Sequence, residues 1–275
     1  MSVAVFKPEL WSRTILNELD VLTGLRKHSD YSFNGEIKHG TKLHITESGT
    51  TTIRDYVQGQ DIELENYNGD EVVLEITEQK YFAKYYDNVD IAQSIKGVME
   101  NDMKQSAKEL KLEADKFVAN KLKEAVVAGT IAKGTAITPN KTNVVEAIEA
   151  GLVALYENNV DPSTEIWGEV SPKMYSFLRQ HLTELATANL DLMKKGIIGR
   201  YNNVNVCIEN LLPTNSGVRY NFLRTGKAFA FAEQIDQVKA VEKERGFGDI
   251  VKGLYVFGGV VVRAKEAYAI QETIA

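Results

Sequence analysis

A few stretches of this chain have residue types and spacings that chemistry uses, and each can be weighed against a plainer reading. Gly129-Thr-Ile-Ala-Lys-Gly134-Thr135 has the outer spacing of a phosphate-cradling loop. That chemistry needs a lysine before the hydroxyl residue and a loop that opens a helix. Here the lysine is missing and the segment follows a helix, so an ordinary connection is expected. Gly246-Phe-Gly248 lacks the third glycine of a dinucleotide fingerprint and precedes a strand, which reads as a mobile loop. His28, His39, His44 and His181 are scattered over elements of different kinds. His39 and His44 are near in sequence, but one precedes a strand and the other lies on its polar face. They read as surface histidines in preference to a metal pair. Cys207 lies among Val204, Val206 and Ile208 and is expected to be a small buried or half-buried residue, not a nucleophile. Asp61, Glu63 and Glu65 alternate along one edge. Paired carboxylates can cleave glycosides, but a solvated or partner-facing strand is the favoured reading. Asn140-Lys-Thr142 is a glycosylation sequon without a secretory route. No nucleophile elbow and no His-Glu-x-x-His occurs. The expectation is a non-enzymatic chain with no catalytic residues, no cofactor and no metal.

The element that organises the rest is Asp87–Gly129, free of proline and with Gly97 as its one internal glycine. Ile91, Ile95, Met99, Met103, Leu110, Ala114, Phe117 and Leu122 recur at three-and-four spacing, one stripe of a helix. Asp90 and Gln93 form a capping box, and Gly129 suits a left-handed stop. Such a helix runs roughly 55 Å, longer than a compact domain needs. Lys96, Glu100, Lys104, Lys108, Lys111, Glu113 and Lys116 make its other face a solvated one.

Before the helix, Pro8 opens a short helix with Leu10, Trp11, Ile15 and Leu19 on one side. Trp11 serves there as a core anchor or an intersubunit one. A polar arm follows, then a β-ribbon: Thr41–Glu47, continued by Thr51–Val57 after the turn at Ser48-Gly49, and a strand through Val72, Leu74 and Ile76. Between the strands lies the acidic stretch GQDIELENYNGDE with its Asn68-Gly69 turn signal. A lone ribbon is marginal in water and requires the body of its own subunit or a neighbour. Lys80–Tyr86 leads into the long helix.

After Gly129, Pro139, Pro162, Pro172 and Pro213 mark a change of texture. Helices are expected at Thr142–Asn158 and Pro172–Leu185, and strands at Glu165–Val170 and Tyr201–Ile208. This is a mixed α/β unit. From Ala228 onward strands return at Gln237–Glu242, Leu254–Arg263 and Ala267–Gln271. They need partners, and the ribbon and the long helix supply them. A middle unit inserted into a domain built from both ends of the chain is therefore expected.

At 275 residues the chain can form one large or two modest domains. Its net charge of −6 argues against electrostatic steering to nucleic acid, although not against a container that tolerates DNA. The single Cys207 excludes an internal disulfide and a cysteine-rich metal site. No apolar run reaches the ~18 residues of a membrane span, and MSVAVFKPELWSR has no secretory h-region, so use in the cytosol is expected.

The opening PELWSRTILNEL, the ribbon GTTTIRDYVQGQDIEL, the helix approach KYFAKYYDNVDIAQS, the middle segment KKGIIGRYNNVNVCIENLLP and the closing GLYVFGGVVVRAKEAYAIQ stand in a telling order and spacing. Across nearly the whole chain they make it resemble the major capsid proteins of tailed double-stranded-DNA bacteriophages. The resemblance implies an α+β major capsid fold. Its parts would be an N-terminal arm at 1–40, an extended loop at 41–86, a peripheral domain with the spine helix from 87–129 and 228–275, and an inserted axial domain at 130–227. It implies a structural subunit that self-assembles through hexamers and pentamers into an icosahedral phage head, located in the virion and assembled in host cytoplasm. The implied partners are further copies of itself, a portal and a scaffolding protein. Double-stranded DNA would be enclosed without sequence specificity, and no membrane is involved. The arm starts almost at once, so any scaffold is expected to be a separate protein or absent. Lys80 and Lys84 sit at the base of the ribbon, so a shell without lysine–asparagine crosslinks is expected. The alternative on the same fold is an encapsulin-type compartment storing an enzyme cargo; an enzyme with an unrecognised site is a third reading. Trp11, Arg54, Asp61, Glu63, Glu65, Lys104, Lys108 and Lys111 are the expected intersubunit contacts. The acidic ribbon tip would meet the basic face of a neighbour's spine helix.

Overall fold

The computed structural model describes residues 24–35, 42–47, 52–56, 58–59, 61, 64, 69–87, 98–184, 200–242 and 246–274. In chain order its elements are β1 (Lys42–Glu47), β2 (Asp70–Glu75), β3 (Glu78–Asp87), α1 (Val98–Val127), β4 (Ala132–Lys133), α2 (Asn143–Glu157) and β5 (Ile166–Val170). Then follow α3 (Pro172–Glu184), β6 (Arg200–Tyr201), β7 (Val204–Ile208), β8 (Thr214–Asn215), β9 (Val218–Thr225), β10 (Phe229–Glu242), β11 (Gly248–Val261) and β12 (Ala267–Thr273). Short 3-10 turns occupy Leu25–His28, Ser32–Gly35, Gly226–Ala228 and Ala264–Glu266.

Along α1 the buried side chains are Ser106, Leu110, Ala114, Val118, Leu122 and Val126, flanked by Asp115 and Ala119. Steps of four residues keep them on one face of a 3.6-residue helix. Lys108, Glu109, Leu112, Glu113 and Lys116 remain exposed. The helix stops as its sequence dictates: Gly129 takes φ 79°. The Thr130 N–H returns to Ala125 O at 2.9 Å and the Gly129 N–H to Val126 O at 3.2 Å, the paired bonds of a Schellman stop.

This face of α1 covers a three-stranded antiparallel sheet in the order β10-β11-β3. Phe229, Phe231, Tyr255 and Phe257 join the helix stripe in one core. The second sheet has seven strands in the order β4-β12-β9-β5-β7-β6, with β8 paired to β9. Val144, Ile148, Leu152 and Leu155 of α2 and Met174 and Leu178 of α3 pack on it, making a second core with Ile166, Val204 and Leu223. Ser171 caps α3: its Oγ accepts the Met174 N–H at 3.1 Å, ahead of a proline at the first helical position.

The ribbon is β1 paired antiparallel with β2, from Lys42↔Glu75 to Glu47↔Asp70. Its base is seated on its own subunit, where Leu74 is fully buried against Ala230 and Ala232, with Leu43, Ile45 and Ile76 alongside. Gly258 permits the crossing. A Cβ there would collide with Glu75 O and lie 2.7 Å from Ile76 Cα.

Three placements differ from the sequence expectation. Residues 52–56 form no strand, and the partner of β1 is β2. The stretch taken as the foot of the ribbon is β3, an edge strand of the helix-backed sheet, in register with β11 from Glu78↔Phe257 to Asp87↔Gly248. The last strand does not join β10 and β11. It lies between β4 and β9 in the seven-stranded sheet, with Tyr268 opposite Leu223. Alternation sets which face a strand buries but not which strand it pairs with, so these pairings are long-range choices that no local pattern carries. The helical start around Asp90 lies outside the described residues, as do the turn at Ser48-Gly49 and the helix after Pro8.

Candidate functional site

A dense cluster of buried polar side chains among the described residues lies where both sheets and α1 meet, around the 3-10 turn Leu25–His28. That turn has several main-chain groups without helical partners, and side chains from distant elements take them. Arg224 of β9 is fully buried. Its Nε and Nη2 donate to the two oxygens of Glu169 on β5 at 3.0 and 2.7 Å. Its Nη1 donates to His28 O at 2.9 Å, and Nη2 also donates to Leu25 O at 2.5 Å. From α1, Asp115 accepts the N–H of Arg26 at 2.9 Å and of Gly24 at 3.4 Å. Arg26 itself turns to the three-stranded sheet, pairing with Glu233 and donating to Tyr255 Oη at 2.7 Å. Tyr255 donates in turn to Glu233 at 2.8 Å. His28 stacks on Trp167 with ring centroids 4.0 Å apart, its Nδ1 3.1 Å from Glu169.

The turn Leu25–His28 is thus held by residues from five elements: Arg224 of β9, Glu169 of β5, Asp115 of α1, Glu233 of β10 and Tyr255 of β11. A planar guanidinium suits the place, because it can serve a carboxylate bidentately and still reach carbonyls. Burial alone would raise the Glu169 carboxyl, but Arg224 and His28 outweigh it and hold it below the usual carboxylate range. Asp115 goes the other way: its burial outweighs the donors around it and raises its pKa. Glu209 is likewise pushed up by burial, and by the nearby charges of Asp115 and Glu169. Asp115 and Glu209 approach each other at Gly24, where a Cβ would strike Glu209 and lie 3.3 Å from Asp115.

Cys207 Sγ lies 3.8 Å from His28 Nε2, so thiol, imidazole and carboxylate stand in the order of a nucleophilic relay. The electrostatics oppose that chemistry. Burial and the Glu169 charge push the thiol up to about 11, and Glu169 is committed to Arg224. The group is a clamp, with the half-buried thiol expected from the sequence at its margin.

Asp61 and Arg54 are exposed on the connection between β1 and β2, and Lys108 is exposed on α1. Lys104 and Lys111 belong to α1, and their side chains lie outside the described residues, as do Trp11, Glu63 and Glu65 altogether. Apolar side chains on the same connection are bare: Ile53 is 94 % and Leu64 93 % exposed. Among the histidines, His44 pairs with Glu71 across the ribbon, while His39 lies outside the described residues. No group of three or more metal-ligating side chains occurs among the described residues, and no described helix is long and apolar enough to cross a membrane. Asn140 of the sequon accepts the N–H of Thr142 and Asn143, each at 2.9 Å, and so organises the start of α2.

Sequence reading missed Arg26, His28, Asp115, Glu169, Arg224, Glu233 and Tyr255. The available signal was a charge set against apolar residues near the end of a strand: Glu169 before Val170 in Ile166–Val170, and Arg224 after Phe222 and Leu223 in Val218–Thr225. Charges that are fully buried need partners.

Comparison with solved structures identifies the architecture. A structure of Mycobacterium phage Che8 superposes with a TM-score of 0.75 at 22 % identity, covering 90 % of this chain and 91 % of that one. The capsid structure of the cyanophage P-SCSP1u gives 0.70 at 15 % identity, covering 100 % and 91 %. The virus-like particle from Pyrococcus furiosus gives 0.60 at 11 % identity, covering 98 % and 100 %. No protein-family model and no curated protein sequence matches the chain. The fold is that of phage capsid proteins, in agreement with the α+β capsid architecture the sequence resembles.

Proposed function

We propose that this chain is a structural shell subunit, many copies of which close into an icosahedral phage head around double-stranded DNA. The observation that carries the reading is the superposition on capsid structures over nine tenths or more of both chains. The connection between β1 and β2 supports it: Ile53, Tyr56 and Leu64 are bare in the isolated subunit, as side chains awaiting a neighbour would be. In this reading, residues 1–40 are the arm, 41–86 the extended loop, 87–129 with 228–275 the peripheral domain, and 130–227 the axial domain. The strands β3 and β12 tie those units together across their boundaries. Heterologous contacts whose rotations close generate the rings of the shell. In this reading the virion partners are further copies of the chain, a portal and, where one is used, a scaffolding protein, and DNA is enclosed without sequence recognition, in keeping with the negative net charge.

Negative-stain microscopy and sedimentation of the purified chain, with and without co-expressed scaffold, test the reading. Closed particles or capsomer rings are expected; a strictly monomeric or dimeric species in every condition would sink it. The full-length match to the virus-like particle from Pyrococcus furiosus keeps an encapsulin-type compartment as the second reading. Its particles would carry a protein cargo in place of packaged DNA, which mass spectrometry and nuclease digestion of purified particles distinguish.

A further inference from the structure

Two buried carboxyls converge on Gly24, the residue before the turn Leu25–His28. Asp115 of α1 accepts the Arg26 N–H on Oδ1 at 2.9 Å and the Gly24 N–H on Oδ2 at 3.4 Å, the longer bond. Glu209, next after β7, accepts the Leu211 N–H on Oε1 at 3.0 Å and turns Oε2 toward Gly24. Asp115 Oδ2 and Glu209 Oε2 both lie within 3.3 Å of the point where a Cβ on residue 24 would stand. They are the oxygens nearest that point, so glycine leaves the two acids facing each other across a gap.

The charges around the pair favour a retained proton. Arg26 attracts Asp115, but its guanidinium is taken by Glu233 of β10 and Tyr255 of β11. Arg224 of β9 is bound to Glu169 of β5 and to carbonyls of the turn. Glu169, with His28 on its Oε1, adds a negative charge that raises both acids. Burial pushes the hydroxyls of Tyr31 and Tyr255 well above their usual range, so both stay neutral. Lys27 is exposed beside Cys207 at the margin. Burial is the largest influence on Asp115 and on Glu209, and it lifts both. Two carboxyls so placed hold one proton between them in preference to ionising together. We propose that Asp115 and Glu209 share one proton across the gap at Gly24, and that this proton latches residues 24–28 to α1 until it is lost. With it, one carboxyl O–H donates to the other carboxylate, and Asp115 keeps both backbone N–H bonds. When it passes to solvent, two buried negative charges face each other, water enters the gap, and the longer Gly24 bond gives first. The latch does not depend on the shell reading.

The closed form binds the proton more tightly than the open one, so the latch is shut at and below the ordinary carboxylate range. It opens as pH rises through the raised values of the pair. Amide hydrogen exchange of the full, unassembled chain tests this, with each rate divided by the intrinsic rate at that pH. Between about pH 5 and about pH 8, protection at the Gly24 and Arg26 amides should fall by roughly tenfold or more, since one linked proton shifts opening by up to tenfold per pH unit. Protection in α2 should stay level. Glu209→Gln removes one acid and keeps an acceptor for Leu211; it should abolish the step and leave residues 24–28 protected throughout. Asp115→Asn sacrifices an acceptor for the turn and should give low protection without a step. Wild-type protection that is flat with pH overturns the proposal, whatever the variants do. So does a step shared equally by α2, which would be global loosening. A step that persists in Glu209→Gln or Asp115→Asn belongs to another group, such as His28, and overturns it as well.

Discussion

Arg224 and Glu169 are joined by two N–H···O bonds of 3.0 and 2.7 Å, with the guanidinium at 0 % and the carboxylate at 1 % exposure. They sit on adjacent strands of the seven-stranded sheet, yet the remaining donors of Arg224 reach out of that sheet to carbonyls of the turn Leu25–His28. One side chain therefore joins a strand pair and the turn Leu25–His28.

Arg224→Met should cost on the order of 3–5 kcal/mol, because it strips buried Glu169 of its bidentate guanidinium and leaves it His28 alone. Arg224→Lys should recover little, since an ammonium cannot reproduce the bidentate fork. Thermal melting measures both. A double variant with Glu169→Gln should be less destabilised than the two single changes added together.

Stability should be greatest in mild acid. Asp115 and Glu209 have raised folded-state pKa values. Their contribution is fully present below the ordinary carboxylate range and is lost as pH rises through the raised values. Glu169 is lowered, so its contribution is present above the ordinary range and lost only as pH falls through the depressed value. Melting temperature against pH checks this. Glu209→Gln should flatten the decline on the neutral side and leave the strongly acidic limb in place.

Gly258→Ala should lift the ribbon from its seat, because the new Cβ meets backbone of residues 75 and 76 that no rotamer change can clear. A cost of roughly 1–3 kcal/mol is expected for such overpacking. Hydrogen exchange should rise selectively in β1 and β2, while α2 and α3 stay protected.

Cys207 should react slowly with thiol reagents at neutral pH and faster only as pH approaches its value of about 11, because the thiolate is the reactive form. Stopped-flow thiol titration reads this directly, and rapid modification at pH 7 would contradict the half-buried placement beside His28.

Residues 130–227 cut out alone should aggregate. They lack β12, which covers β9 along the whole register Ala267↔Arg224 to Thr273↔Val218, and an uncovered strand edge invites pairing with other chains. Adding the strand back in trans as a peptide should restore solubility, as gel filtration would report.

Local order was well written in the sequence. The stripe of α1 from Leu110 to Leu122, the stripe of α2, the stop at Gly129 and the proline at the start of α3 occur where periodicity and capping rules put them. Strand partners were not: β3 and β12 look from their alternation like members of the ribbon and of the C-terminal strands, and only packing over long separations decides otherwise. The clamp was least legible. Arg26, Asp115, Glu169 and Arg224 follow no motif spacing, because their meeting is made by the meeting of the two sheets with α1.

The bond from Arg224 to Leu25 O spans 199 residues of sequence and that from Arg26 to Asp115 spans 89. Contacts of such separation form late, since the chain entropy of closing the loops is spent before they reward it. The turn at 25–28 can be gripped only after both sheets and α1 have come together, so a half-folded subunit presents its leading segment unanchored. In the proposed shell, correct folding would then be a condition of joining, and each subunit would carry its own quality check.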